Sequence, residues 1–348
     1  MSHLTQTVQV VLVFDNASAF DQHFSDLSQI EPRLTQALQD FGPWQSLQGY
    51  NTPNHLGLAN DTQHITMQRF DEQMQLGGFA DVLANPLITN GNPGLAKAVL
   101  EHQRAFLIEV GPGSVPGFAA ALAQSGIADA LGGMDTAEMG LSDDQAGYEN
   151  RLLLAQSLTS AMIREMAPSA VHWVQSQQIF DAAAFNSLVA EGFSLPLYCG
   201  PFLYGGEQMP DGSVKVGIRA LGSQNLLGKT VIFAPDVQDW SQSYMQVLAF
   251  IAYCRSIGRL LGDGETMASD AADATVVRVS HKNDIPQLPD GYIELSVDGR
   301  SNAEASSGKV LRADEAKLNA AARGSRDQLN QPKRARGGLL ARLFGSKK

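Results

Sequence analysis

VKVGIRALGSQNLLGKTVIFAPDVQDWSQSYMQVLAFIAYCRSIGRLLGDGETM, Val214 to Met267, carries more of the architecture than any other stretch of this chain. VKVGIRALG and KTVIFAPD are rich in β-branched residues that fit a pleated, half-buried surface, so each predicts a strand. A long amphipathic helix follows. From Trp240 to Ile257, the apolar residues Tyr244, Val247, Leu248, Ile251 and Cys254 recur at helical spacing and form one face for burial. Asp239 is placed to cap its start, with Gln242 three residues on, and Gly258 can take the left-handed conformation at its end. This is a scaffold without a reaction centre.

The whole chain has 348 residues and 44 % hydrophobic content, enough for roughly two ordinary domains with a sizeable core. Its two cysteines, Cys199 and Cys254, sit in apolar neighbourhoods that suit buried hydrophobes in a reducing compartment. The opening MSHLTQTVQVVLVF shows no basic leader, and its apolar run is too short for a signal peptide or a span, so the expectation is a cytoplasmic protein. The net charge is −11, yet Lys333 to Lys348 hold six cations and no acid, which leaves the preceding chain at −17. Such an acidic body repels nucleic acid, because phosphate contacts depend on Lys and Arg clusters.

Outward from the opening stretch, Val8 to Phe14 reads as a buried strand, followed by helical spacing at Phe20, Phe24 and Leu27. Gln63 to Phe70 alternates as a half-exposed strand, and the Asn-Pro and Asn-Gly pairs between Phe79 and Pro93 read as loop. Leu95 to His102 predicts a short helix, Ala105 to Val110 a strand and Phe118 to Gln124 a further helix. The Gly-rich, acidic run GGMDTAEMGLSDDQAGYE is the best candidate for a domain boundary. Glu149 to Met166 predicts a helix that buries Leu154, Leu158, Ala161, Met162 and Met166. AVHWVQSQQIFDAAAFNSL repeats the pattern of VVLVFDNASAFDQHFSDL, which hints at duplication of a β-α unit. Leu195 to Tyr204 and Val214 to Leu221 flank Pro210-Asp211-Gly212 as a hairpin, and Thr275 to Ser280 is a final strand.

The expected fold is therefore α+β, with antiparallel-rich mixed sheets, helices packed on one face and two related β-α halves. Its expected divisions are an α/β half over 1–145, an α+β half over 146–298, a flexible linker over 299–332 and a disordered basic amphipathic tail over 333–348.

GIRALGSQNLLGKTVIFAPD, then AFIAYCRSIGRLLGDGETMA, preceded by AVHWVQSQQIF and LPLYCGPFLY, resembles the bacterial domain of unknown function 4261 family. The resemblance runs over about Ala96 to Val279, most clearly from Ala170 onward. It implies a bacterial α+β protein and brings no established activity. Where the family pattern tends to place an acid after the Leu-Gly pair, Gln224 and Asn225 stand here, so a function resting on that acid is missing from this copy.

Gly222 to Thr230, GSQNLLGKT, nearly matches a phosphate-binding loop, but five residues instead of four separate its glycines and a strand follows where a helix is needed. In GPGSVPG, Gly111 to Gly117, Pro112 and Pro116 remove backbone donors that a dinucleotide site would use. Asp263, Glu265, Asp270 and Asp273 lack the ligand order of a calcium loop, and the seven histidines form no zinc-binding spacing. No metal or cofactor is expected. For nucleophilic catalysis the available pieces are His172 and Cys199, read on adjacent strands, with Tyr204 and Lys229 lining a cleft.

The C-terminal KRARGGLLARLFGSKK sets Leu339, Leu340, Leu343 and Phe344 on one helical face, ringed by Lys333, Arg334, Arg336, Arg342, Lys347 and Lys348. That pattern suits an anionic membrane surface or an apolar groove with an acidic rim. The functional expectation is a non-catalytic binding or adaptor protein whose tail docks a partner protein or the inner membrane. The alternatives are an enzyme with a cleft at His172 and Cys199, or an immunity-like stoichiometric inhibitor.

Overall fold

The computed structural model describes residues 7–23, 25–38, 41–47, 49–114, 145–269, 275–301 and 310–313. They form two sheets. In the first, β1 (Val8–Phe14), β2 (Gln45–Ser46), β3 (His55–Ala59), β4 (Gln63–Phe70), β5 (Arg104–Pro112), β6 (Ala170–Trp173) and β7 (Gln178–Phe180) take the order β2-β3-β4-β5-β1-β6-β7. Every neighbouring pair in it is antiparallel. In the second, β8 (Gly200–Gln208), β9 (Val214–Leu221), β10 (Thr230–Asp236), β11 (Thr266–Ser269), β12 (Thr275–Lys282), β13 (Tyr292–Ser301) and β14 (Val310–Ala313) take the order β14-β11-β12-β13-β10-β9-β8. There β10 pairs parallel with β13 and β11 parallel with β14, the other pairs being antiparallel. The fold is α+β with mostly antiparallel sheets.

Alternation along the strands decides what faces what. Val10, Leu12 and Phe14 of the first sheet and Ile218, Ala220, Val231 and Phe233 of the second belong to one continuous apolar cluster. Two helices supply its middle. The helix Gln145–Met166 buries Leu154, Leu158, Ala161, Met162 and Met166 as the sequence predicts, and also Leu152, Ala155 and Ile163, so it is enclosed nearly all round. The helix Trp240–Ile257 buries Val247, Leu248, Phe250, Ile251 and Cys254. Its ends are those the sequence marks: Asp239 accepts from the Ser241 N–H at 2.7 Å, and Gly258 takes φ 67°. Arg255 joins the two helices through a 2.6 Å ion pair with Glu149 while its guanidinium lies 4.1 Å over the Phe193 ring.

The first sheet has a covered outer face as well. Val11, Val13, Ala105, Ala170 and Ile179 pack there against Phe79, Val82, Leu95 and Val99. The expectation of helices on one face is corrected for this sheet, and β4 is mostly buried instead of half exposed. The cause is local. Asn85-Pro86 and Asn92-Pro93, read as loop punctuation, begin the helices Pro86–Thr89 and Pro93–Glu101: each Asn side chain accepts a backbone N–H and each Pro needs no donor at a first helical position.

Three further expectations are revised. β6 and β7 complete the first sheet, so the division at 145/146 does not separate the two sheets. Leu195–Tyr198 is a one-turn helix with Pro at its start, and the strand begins at Gly200. β13 runs through to Ser301 and Val310–Ala313 pairs with β11, so strands enter the stretch expected to be a linker. The strands of the suspected duplication, β1 and β6, are antiparallel neighbours. The helix expected at 118–124, the Gly-rich boundary run up to residue 144 and the tail lie outside the described residues.

The sheets abut where β8 begins and β9 ends. A Cβ at Gly200 would stand 2.5 Å from the Ser176 carbonyl oxygen. At Gly222, φ is +92° and a Cβ would stand 2.2 Å from the Tyr198 carbonyl oxygen. Gly222→Ala therefore combines backbone strain with a backbone clash and is expected to lose about 2–4 kcal/mol in urea unfolding. A loss below about 1 kcal/mol would contradict this close approach.

Candidate functional site

The outer face of the second sheet carries a polar and aromatic surface built by strand alternation. Because Leu203, Ile218, Val231, Leu295 and Val279 point into the shared core, the intervening residues point outward. Phe202, Arg219, Ile232, Glu294 and Ser280 fall in register across five strands and form one row on that face. Beside it, Tyr204 lies over Gly217, where a Cβ would stand 2.5 Å from the ring. The Tyr204 hydroxyl donates to the Phe233 carbonyl oxygen at 3.1 Å. On the other flank, the Tyr292 hydroxyl donates to Asp284 at 2.7 Å. The layer that covers the first sheet reaches the edge of this face, where Asn85 Nδ2 donates to the Pro201 carbonyl oxygen at 3.1 Å.

Charge on this face is mostly neutralised in place. Lys282 Nζ lies 2.6 Å from Glu294, and Arg278 lies 2.9 Å from Asp298. Arg219 differs: its Nε is buried without a hydrogen-bond partner. Burial, followed by the negative charge of Glu294, pushes the Tyr204 hydroxyl up to about 12. Burial and the bond to Asp284 raise Tyr292 as well. Both phenols stay protonated near neutral pH with their hydrogens committed to Phe233 and Asp284, so this face presents rings and a cation, and no phenolate base.

The residues expected to line a cleft are not brought together. His172 sits on β6, on the outer side of the first sheet, with its ring 5.2 Å from that of Phe79. Burial lowers its pKa to about 4; the Gln177 amide opposes the shift, but neither ring nitrogen reaches a hydrogen-bond partner. Cys199 ends the Leu195–Tyr198 helix inside the shared core, fully buried, and that burial raises its thiol to about 12. The two were expected on adjacent strands. Instead β6 belongs to the first sheet, and Cys199 precedes β8 of the second. Tyr204 faces outward from the second sheet, and Lys229 donates to the Asp290 carbonyl oxygen in the turn before β13. A nucleophile, a base and an orienting group within hydrogen-bond reach are therefore not assembled from these four.

The other motifs have structural uses. Ser223–Leu227 is one helical turn between β9 and β10, and the Ser223 hydroxyl bonds to the Ala220 carbonyl oxygen and the Val231 N–H. Asp263 accepts from the His281 N–H and Glu265 from the Gly262 N–H, which fixes a turn. Among the described residues no three His, Cys, Asp or Glu side chains stand together as a metal site. The tail residues Lys333, Arg334, Arg336, Leu339, Leu340, Arg342, Leu343, Phe344, Lys347 and Lys348 lie outside the described residues.

Fold and surface together define a two-sheet α+β protein with a shared core and an outer, Arg- and Tyr-bearing sheet face. The chain matches none of the family models, curated proteins or solved structures compared with it. Arg219, Tyr292 and Glu294 were missed as site residues by sequence reasoning. The signal available was the alternation in VGIRAL and YIELSV, which sets Arg219 and Glu294 opposite buried aliphatics.

Two outcomes follow from the buried groups. Burial raises Cys199 to about 12 and Cys254 to about 11, so Ellman's reagent at pH 8 is expected to leave both thiols unlabelled in the native protein and to titrate both in denaturant. Rapid native labelling of Cys199 would contradict its burial. His172 refuses in the native state a proton that the unfolded chain accepts below 6.5, its ordinary value. Its contribution is thus complete above pH 6.5 and is lost as the pH falls through about 4, at up to roughly 1.4 kcal/mol per pH unit. Urea unfolding of His172→Leu between pH 7 and 4 should show a shallower decline than wild type; equal declines would contradict the buried neutral ring.

Proposed function

We propose that this chain is a non-catalytic binding or adaptor protein of the bacterial cytoplasm. In this reading its folded body docks one partner, and its basic amphipathic tail engages a second surface, a partner protein or the anionic inner membrane. The resemblance to the domain of unknown function 4261 family belongs to the same proposal. The observation that carries it is the separation of the reactive side chains. His172 is sealed under Phe79, Cys199 is enclosed in the core, and Lys229 is bound to a backbone carbonyl. Binding needs only a surface, and the outer face of the second sheet offers the half-buried Phe202, Tyr204 and Arg219, side chains of the kinds that dominate protein interfaces. The tail adds six cations and four large apolar residues, and each cation near an anionic surface contributes about 1 kcal/mol.

The test compares the full chain with one ended at Pro332. Both should unfold at the same temperature. Only the full chain should co-sediment with phosphatidylglycerol vesicles or retain its full set of partners in affinity capture from the host. Equal recruitment of the two chains would remove the tail from the reading.

A further inference from the structure

Among the described residues, the cations that point outward from the second sheet are not equivalent. Lys282 is bound to Glu294, Arg278 to Asp298 and Lys215 to Glu207. Arg219 has a buried Nε with no partner, and none of its other nitrogens makes a hydrogen bond or ion pair with a described residue. In register with it stand Phe202 on β8, which is half-buried, and Ile232 on β10, which is buried, so the half-buried Arg219 side chain lies beside an aromatic ring and over an aliphatic floor. Such surroundings weaken its solvation and leave a planar fork of donors without an acceptor. A carboxylate fits that fork with two parallel hydrogen bonds, and the half-buried Phe202 ring favours apolar groups next to it. The charge of the whole body limits the ligand further. At −17 before the tail, it repels an acidic run at long range, so the matching segment carries one acid among apolar residues.

We propose that Arg219 anchors a docking site on the outer face of the second sheet. Its occupant is an extended segment of a partner protein that presents a single Asp or Glu side chain between apolar residues. The site deepens the binding reading and rests on it for the body, while it is independent of the tail.

The experiment selects phage-displayed random heptapeptides on the full chain and measures labelled winners by fluorescence anisotropy. Winners are expected to share one Asp or Glu flanked by aliphatic or aromatic residues. Arg219→Gln should weaken them about tenfold or more, and Arg219→Lys by less, because lysine keeps the charge without the fork. Replacing the peptide's acid by its amide should cost wild type about as much as the Arg219→Gln change does. Arg278→Gln removes a cation already bound to Asp298 and should leave affinity within about twofold. The urea midpoint of Arg219→Gln should equal or exceed that of wild type, since an unpaired charge is removed. The chain ended at Pro332 should bind the same peptides, so a failed tail and a failed sheet site are read separately. Winners without a shared acid, no winners at all, or Arg219→Gln binding as wild type would overturn the proposal.

Discussion

Arg255 lies across the Phe193 ring at 4.1 Å and reaches Glu149 at 2.6 Å, where the helices Gln145–Met166 and Trp240–Ile257 come together. The first packs on β1 and β5, the second on β9 and β10, and the apolar cluster that surrounds them draws on the inner faces of both sheets. A half-buried ion pair in this setting loses much of its solvation, and breaking one side of such a pair strands the other. It fixes how the helices meet, while the burial around it supplies most of the driving force. Gly200 and Gly222 belong to the same constraint, since the sheets approach at these points too closely for a Cβ.

That shared core governs what the remaining side chains can do. Strands that give every second residue to it have the alternate residues left for an outer face. In the first sheet this face is covered by the helices that Asn85 and Asn92 begin, and His172 is sealed there. In the second sheet it carries Phe202, Tyr204, Arg219, Glu294 and Lys282. Reactivity and exposure are therefore separated: the thiol and the imidazole are desolvated, and the outward groups are suited to recognition.

Elements coded by neighbours in sequence were the legible ones. Asp239 and Gly258 bracket a helix through contacts within a few residues, β1 and β9 announce themselves by β-branched residues, β4 by alternation and β5 by a compact apolar run. β13 was not recognised, because Glu294, Ser296 and Asp298 alternate with its buried aliphatics and dilute the apolar signal. Its parallel pairing with β10 is set by packing across some sixty residues of chain, which no local pattern encodes. His172 and Cys199 make a pair only if β6 and the Leu195 to Tyr204 stretch are neighbours, and β6 and the strand in that stretch lie in different sheets. Once the sheets are assigned, their chemistry is decided by burial, a long-range property. The isolation of Arg219 was hidden for the same reason, since the partners of Lys282 and Arg278 come from a strand distant from β9 in sequence.

Native-state hydrogen exchange, followed by mass spectrometry across a urea series, tests the shared core most directly. Amides of β1 in the first sheet and β10 in the second should converge on one opening free energy with one denaturant dependence, because both sheets lose their inner face in the same event. Exchange of β10 through a lower-energy opening that leaves β1 protected would show two separate cores and contradict the account.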